Sequence, residues 1–196
     1  MARPYTLKRR AEQQAQTRLR IVEAAVDLHG SVGPAQTTFS MVAERAGVQR
    51  HTLYAHFPDE RSLLLACSGL TMERDPLPDA APWRAIADRR ERLRTGLTAL
   101  YDWYGRNAAL AGCVLRDAEH HALTREVNEL RLGPPMATCR AVLGDGLDPM
   151  QQAMLAVALS FFTWRTLVRD AGLAPDAAVA AMVAAIEGVG AEPPAS

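Results

Sequence analysis

Apolar residues recur at helical rather than strand spacing along most of this chain of 196 residues. Valine and isoleucine never alternate with polar residues over a run of strand length, and the strong helix formers alanine, leucine, arginine and glutamate fill the sequence. The longest apolar run, at 177–186, has ten residues, whereas a membrane-spanning helix needs roughly 20. The pattern therefore predicts an all-α protein and excludes a transmembrane one.

Basic residues are concentrated near the start of the chain, although the formal net charge is zero. The first 20 residues carry six basic side chains, among them Arg3 and Lys8, against one glutamate. Residues 1–65 have a net charge of +3, so the remainder has a net charge of −3. A basic arm of this kind is typical of proteins that bind nucleic-acid phosphates.

The cysteines and histidines give no sign of a disulfide framework or a metal centre. Cys67, Cys113 and Cys139 are an odd, scattered set without a CxxC pair, which suits a reducing compartment. The adjacent His120 and His121 point to different faces of a helix, and their spacing from the cysteines matches no structural zinc pattern. No apolar stretch follows the arginine-rich start, so no secretory signal is expected. We predict a cytoplasmic protein without a metal or a cofactor.

Three prolines within residues 74–82 divide the chain into two predicted parts, residues 1–70 and residues 71–190. Residues 191–196 are predicted to form a loose tail. In the first part, a helix over residues 18–29 is expected to end at the glycines that follow it. Thr37 and Thr38 are candidate N-caps for the next helix.

Two short helices joined by a tight turn at Gly47 form a predicted helix-turn-helix, whose second helix spans about residues 50–56. The major groove of DNA is about 12 Å wide and admits one helix. Leu53 and Phe57 are four residues apart and are predicted to pack inward. The side chains left for DNA are Gln49, Arg50, His51, Thr52, Tyr54 and His56.

These side chains suit different parts of DNA. Arginine binds guanine edges bidentately and glutamine binds adenine, which favours Arg50 and Gln49 as readers of bases. Tyr54 and His56 are expected to donate to phosphate oxygens, which fix register rather than sequence.

The block from Ile21 to Leu64 resembles the DNA-binding domain of the TetR family of bacterial transcriptional regulators. The matching pieces are Ala24-Ala25, Gly33, Thr37-Thr38, Ala46-Gly47-Val48, Leu53-Tyr54, His56-Phe57 and Leu63. The resemblance implies an all-α homodimer that binds a near-palindromic operator in double-stranded DNA, usually as a repressor. It also implies that residues 71–190 form a ligand-binding and dimerisation domain, whose small-molecule ligand releases the DNA.

Two positions depart from the family pattern. The family usually has an aromatic residue where His29 stands, and a histidine there is most simply a core residue. The fourth helix is predicted to open at Pro58 and Asp59, with Pro58 in its first turn. The family tends to place a phosphate-binding lysine at this start, whereas here Glu60 is followed by Arg61. We expect Arg61 to take over the phosphate contact.

The second part is predicted to contain five helices. Three of them are expected at about residues 83–104, 107–122 and 124–141. Asp148 is a predicted N-cap, with Pro149 in the first turn and Gln151 in the reciprocal capping position. The helix that Asp148 caps is predicted to run to about Ala171, and the last helix of the chain is predicted from about Pro175 to Gly188.

Residues 153–164 are apolar almost all the way round, which predicts a helix buried on more than one side. The resemblance implies that the final two helices of each chain pair with those of a second chain as a four-helix bundle. The residue pattern favours this dimer interface but is also compatible with the core of a monomer.

Five residues of the second part are candidates for a ligand pocket, because the resemblance places the family's cavity among its middle helices: Trp103, Cys113, His120, Phe161 and Trp164. Pockets are mostly apolar with few polar groups. The simpler interpretation of each aromatic residue is that it belongs to the core.

The sequence thus favours a ligand-released repressor, with three alternatives left open. An activator has the same sequence features. A helical enzyme is not favoured, because the chain has no GxSxG, P-loop, HExxH or strand-linked GxGxxG motif. A partner-binding module without DNA has no need of the basic arm together with Arg50, Tyr54 and His56.

Overall fold

This computed structural model describes residues 4–189, with side chains from residue 8 onward. Every regular element within that range is helical, which confirms the predicted all-α class. The α-helices are α1 (Pro4–Ser31), α2 (Phe39–Ala46), α3 (Arg50–His56), α4 (Glu60–Arg74), α5 (Arg89–Ala118), α6 (Ala122–Leu143), α7 (Pro149–Ala158), α8 (Phe161–Trp164) and α9 (Pro175–Gly188). Arg3 and the predicted tail at 191–196 lie outside the described residues. None of the described helices is both long enough and apolar enough to cross a bilayer.

The chain forms two compact units. The first contains the residues up to Asp75 together with Ala109–Arg131, and the second contains Pro76–Ala108 and the residues from Leu132 onward. The long helices α5 and α6 therefore each contribute to both units. The predicted functional division at residue 70 stays a prediction.

The first unit has a continuous apolar core made by the first four helices. Its buried residues include Ile21, Ala25, Val42, Leu53 and Phe57. The predicted start of the first helix at residue 18 is wrong, because α1 begins at Pro4. Proline suits a first helical turn, and the following residues are strong helix formers without a glycine, so the basic arm is helical.

The start of α4 differs in detail from the prediction. Asp59 is the N-cap, and its carboxylate accepts the Ser62 backbone N–H at 2.7 Å. Pro58 precedes the cap and does not stand in the first turn. Leu63 and Leu64 are buried, whereas Leu65 is half-buried.

Helix α5 is one helix of 30 residues where two were predicted. The predicted break near residue 105 is wrong, because an exposed glycine such as Gly105 costs a helix only about 1 kcal/mol, and the burial of Tyr101, Trp103 and Tyr104 outweighs that cost. The predicted start at residue 83 is also wrong. Trp83 lies in a 3₁₀ turn, and Asp88 caps α5 by accepting the Glu91 backbone N–H at 2.6 Å.

The second unit contains the predicted capping box. Asp148 accepts the backbone N–H of Gln151, while the Gln151 side chain accepts the backbone N–H of Asp148. The helix that follows does not run to Ala171 as predicted. It ends at Ala158, and Ser160 caps α8, which continues into a π-helical stretch over residues 165–170.

Two buried tyrosines explain this interruption. Tyr101 donates its hydroxyl to the Ala158 carbonyl at 3.1 Å, and Tyr104 donates to the Leu159 carbonyl at 2.6 Å. These are the carbonyls at which α7 ends. The hydroxyl groups therefore provide hydrogen bonds that an uninterrupted helix would supply from its own backbone.

Residues 153–164 do not bury all their faces within the chain. One face is buried through Leu155, Ala158, Phe161 and Trp164. The opposite face is exposed, and it comprises Ala153, Ala156, Val157 and Phe162. An exposed alanine face follows on α9 at positions 177, 180, 181 and 184.

Candidate nucleic-acid interface

A tight turn at Gly47 sets the geometry of α2 and α3. Gly47 is left-handed, with φ 64° and ψ 39°. Its backbone N–H donates to the Glu44 carbonyl at 3.1 Å, and the Val48 N–H donates to the Ala43 carbonyl at 3.0 Å. This pair of bonds is a Schellman motif, which ends a helix and turns the chain sharply.

The inward face of α3 fixes the helix on the core. Leu53 and Phe57 are fully buried, as predicted. The Arg18 guanidinium lies 4.7 Å from the centre of the Phe57 ring, in a cation–π contact. The rings of Phe39 and Tyr54 are 5.1 Å apart, so the first residue of α2 supports a residue of α3.

The outward face of α3 carries the predicted DNA-binding side chains. Gln49, Arg50, His51 and Tyr54 are exposed, and Thr52 and His56 are half-buried. Gln49 stands at the N-cap without capping through its side chain. Among the described residues, no side chain pairs with Gln49, Arg50 or His51. The structure therefore leaves several strong donors on one surface without internal partners.

Thr38 has a structural role at the start of α2. Its Oγ1 accepts the Met41 backbone N–H at 3.2 Å, as an N-cap does. The side chain is exposed, and its hydroxyl proton is still free to be donated to another acceptor.

Arg61 is already paired. Its Nε and Nη2 both donate to Glu126 Oε1, at 3.0 and 2.8 Å. The neighbouring Glu60 carboxylate lies 3.6 Å from His121 Nε2. The start of α4 is thus held by Glu126 and His121 at the start of α6, and sequence spacing gave no means of predicting these contacts.

A buried carboxylate holds the connection between α1 and α2. Asp117 is 2% exposed, and its Oδ2 accepts the Ala35 backbone N–H at 2.9 Å. Arg116 Nε donates to the other oxygen of the same carboxylate at 2.8 Å. Gly33 makes room for this arrangement, since a Cβ there would collide with Asp117 and Arg116. Asp117 could not be identified from the sequence, because its partner is 82 residues away.

His29 is a core residue, as the sequence suggested. It is 5% exposed, and burial lowers its pKa from 6.5 to about 4 despite the opposing charge of Asp117. The side chain is therefore neutral near pH 7.

The ligand-pocket candidates divide between the two units. Trp103, Phe161 and Trp164 are buried in the second unit, where Tyr104 lies 5.5 Å from Phe161 and 5.8 Å from Trp103 between ring centres. Cys113 and His120 belong to the first unit. The Cys113 thiol lies 3.6 Å from the Gly30 carbonyl, and His120 is exposed. In the described part of the chain, no three His, Cys, Asp or Glu side chains are grouped as metal ligands would be.

Comparison with known proteins gives a family match for this region. Residues 21–67 match the model of the bacterial regulatory proteins of the tetR family. This range comprises the C-terminal part of α1 from Ile21 onward, all of α2 and α3, and the first half of α4. No curated protein shows a significant match to the sequence.

Several solved structures share the fold. The transcriptional regulator FadR from Bacillus subtilis, solved in complex with stearoyl-CoA, is 19% identical, with a TM-score of 0.60 over 86% of this chain and 96% of its own. A putative fatty acid metabolism regulator from Clostridium perfringens is 17% identical, with a TM-score of 0.63 over 88% and 100%. A TetR-like regulator from Rhodococcus sp. RHA1 is 19% identical, with a TM-score of 0.63 over 90% and 97%.

Proposed function

The chain carries the DNA-binding domain of the tetR family of bacterial regulatory proteins, and from this premise we propose that it is a transcriptional repressor released from its operator by a small molecule. The family and the fold are those of DNA-binding transcriptional regulators. In this proposal a homodimer acts at the nucleoid in the cytoplasm. It binds a near-palindromic operator in double-stranded DNA.

The exposed face of α3 carries the proposal. Leu53 and Phe57 bury one side of this helix, so the other side is presented rigidly to solvent. In the proposal, Arg50 and Gln49 bind guanine and adenine edges in the major groove. Tyr54 donates to a phosphate and fixes the register of the helix on the duplex. The proposed DNA-binding surface also includes Thr38, His51, Thr52, His56 and Arg61.

Dimerisation is supported by the exposed apolar face of the second unit. Val157 is 48% exposed and Phe162 36% exposed, and the alanines at positions 153, 156, 177, 180, 181 and 184 are exposed as well. Small side chains allow two helices to approach closely. A pair of α3 helices must be about 34–36 Å apart to enter successive major grooves, which a symmetric dimer provides.

In this proposal the small molecule that releases the DNA binds in the second unit. The aromatic residues Trp103, Phe161 and Trp164 of that unit suit an apolar ligand body, whereas Cys113 and His120, in the first unit, stay predictions. The FadR relative was solved with stearoyl-CoA, a molecule with a long apolar chain. A ligand releases DNA only to the extent that it binds the released state more tightly than the bound one.

Selection from genomic DNA tests the proposal. Purified protein is incubated with sheared DNA of its own genome at about 100 mM salt, where non-specific phosphate binding is weakened, and the bound fragments are sequenced. We expect one enriched near-palindrome. The double variant Gln49→Ala/Arg50→Ala is the matched control and should lose the enrichment while remaining folded and dimeric.

A second preparation makes a negative result decisive. The protein is unfolded and refolded in the absence of small molecules, so that a ligand carried through purification cannot hold the released state. A refolded, dimeric protein that enriches no sequence would overturn the proposal.

A further inference from the structure

Residues 8–16 of α1 do not pack against the core of the first unit. Every side chain from Lys8 to Gln16 is exposed, and burial begins at Ile21. This segment, KRRAEQQAQ, holds no apolar side chain larger than alanine. Residues 8–16 by themselves therefore offer no apolar stripe to a protein core or to a coiled-coil partner.

The exposed segment is strongly basic. Residues 4–20 carry five basic side chains and one acidic one, a net charge of +4 in a chain whose total is zero. Three glutamines between Glu12 and Thr17 add neutral hydrogen-bond donors. A polyanion with many acceptor oxygens is the partner that this composition fits.

The face of α1 that is buried in the core becomes polar towards the N-terminus. Ile21 and Ala25 lie on the buried face. At helical spacing before them stand Arg18, Gln14 and Arg10, on the same side of the helix. The face that binds the core is thus continued by cationic and amide groups where the core ends.

Arg18 marks where this helix leaves the core. Its guanidinium is stacked on Phe57, the residue that directly follows α3. The fourteen residues from Pro4 to Thr17 extend beyond that point by about 21 Å, at 1.5 Å per residue. That length corresponds to roughly six base pairs of duplex DNA, at 3.4 Å each.

We infer that the N-terminal half of α1 is a second DNA-binding element, which binds backbone phosphates flanking the half-site that α3 reads. The inference rests on the proposed function and extends it. Lys8, Arg9 and Arg10 supply the phosphate contacts, and because they neutralise backbone charge they add affinity on any flanking sequence. The element begins beside the end of α3, so both contact the same stretch of duplex.

The test compares duplexes of two lengths. One is the near-palindrome enriched from genomic DNA, and the other is the same site with ten base pairs added at each end. The variant is Lys8→Gln/Arg9→Gln/Arg10→Gln, which keeps good helix formers. The control is Arg84→Gln/Arg89→Gln/Arg140→Gln, which removes the same charge from exposed positions of the second unit.

The wild type and the control are expected to bind the longer duplex at least ten-fold more tightly than the short one. The variant should lose most of that difference. On the longer duplex, the slope of log affinity against log salt should fall by about five, since six phosphate contacts per dimer are each worth about 0.9.

Three outcomes overturn the inference in different ways. If the variant behaves as the control does, the extension does not contact DNA. If it loses equal affinity on both duplexes, the contacts lie within the palindrome and not in its flanks. If the wild type binds neither duplex specifically, the proposed function itself has failed.

Discussion

Two donors of Arg61, Nε and Nη2, converge on a single carboxylate oxygen of Glu126, at 3.0 and 2.8 Å. Both side chains are 52% exposed, and an exposed pair of this kind contributes about 0–1 kcal/mol. The pair is therefore weak enough to exchange for a phosphate. If Arg61 binds DNA as we expect, Glu126 competes with the phosphate for the same guanidinium.

Removing the competitor should strengthen DNA binding. We expect Glu126→Gln to increase affinity for specific and random DNA alike, by up to about five-fold, which corresponds to about 1 kcal/mol. Arg61→Ala should weaken binding to specific and to random DNA. Adding Glu126→Gln to Arg61→Ala should restore little of the lost affinity. Fluorescence anisotropy with labelled duplexes measures all three. An increase of the same size in the Arg61→Ala background would show that Glu126 acts through its charge alone.

Base reading and phosphate binding should separate on α3. Arg50→Ala is expected to cost about 1–3 kcal/mol on the selected sequence and to relax preference at one base pair. Tyr54→Phe removes a proposed phosphate donor and should weaken all sequences alike. Selection from a randomised half-site compares the two variants with the wild type. Equal loss on specific and random DNA for Arg50→Ala would contradict its base-reading role.

The helix-turn-helix was predictable because its determinants are close in sequence. Gly47 permits the turn, and the four-residue spacing of Leu53 and Phe57 gives α3 its inward face. The break after α7 was not predictable, since Tyr101 and Tyr104 make it possible from 55 or more residues away. Local helix propensity predicts that α7 continues past Ala158. Only the tertiary contacts with the two tyrosines show that it ends there.

The same limit applies to the candidate site. The exposed side chains of α3 followed from periodicity, but the pairing of Arg61 with Glu126 and of Asp117 with Ala35 spans 65 and 82 residues. The helical state of residues 4–17 depended on propensity alone, and it was missed because the basic arm was interpreted only by its charge.

Two glycines with positive φ should respond differently to alanine. Gly47→Ala meets no atom within 4 Å, so it should cost about 1–2 kcal/mol for the left-handed backbone alone. Gly33 has φ 99° and ψ 155°, a region that is essentially restricted to glycine, and a Cβ there collides with Asp117. We expect Gly33→Ala to lower the free energy of unfolding by about 3 kcal/mol or more, because the cost of the strained backbone adds to the cost of displacing the Asp117 carboxylate. Urea denaturation measures both, and equal losses would contradict this explanation.

The hydroxyl of Tyr104 should stabilise the kink between α7 and α8. Tyr104→Phe leaves the Leu159 carbonyl buried without its donor, which is expected to lower the free energy of unfolding by about 1–3 kcal/mol. Tyr54→Phe is the matched control, since that ring is 53% exposed and its loss should change stability by less than about 0.5 kcal/mol. If both variants unfold at the wild-type denaturant midpoint, the hydroxyl does not hold the kink.

His29 should make the folded state sensitive to acid. Its pKa is about 4 in the folded state and about 6.5 when exposed, so between those values the unfolded chain binds a proton that the folded one does not. Stability must therefore fall as the pH falls through this window, by about 3 kcal/mol in total.

The variant His29→Phe removes the titrating group and suits the apolar surroundings. Urea denaturation at pH 7 and pH 4.5 should show a smaller loss for His29→Phe than for wild type, by about 2–3 kcal/mol. The exposed His51→Gln should keep the wild-type loss, and an equal loss in His29→Phe would assign the acid sensitivity to other groups.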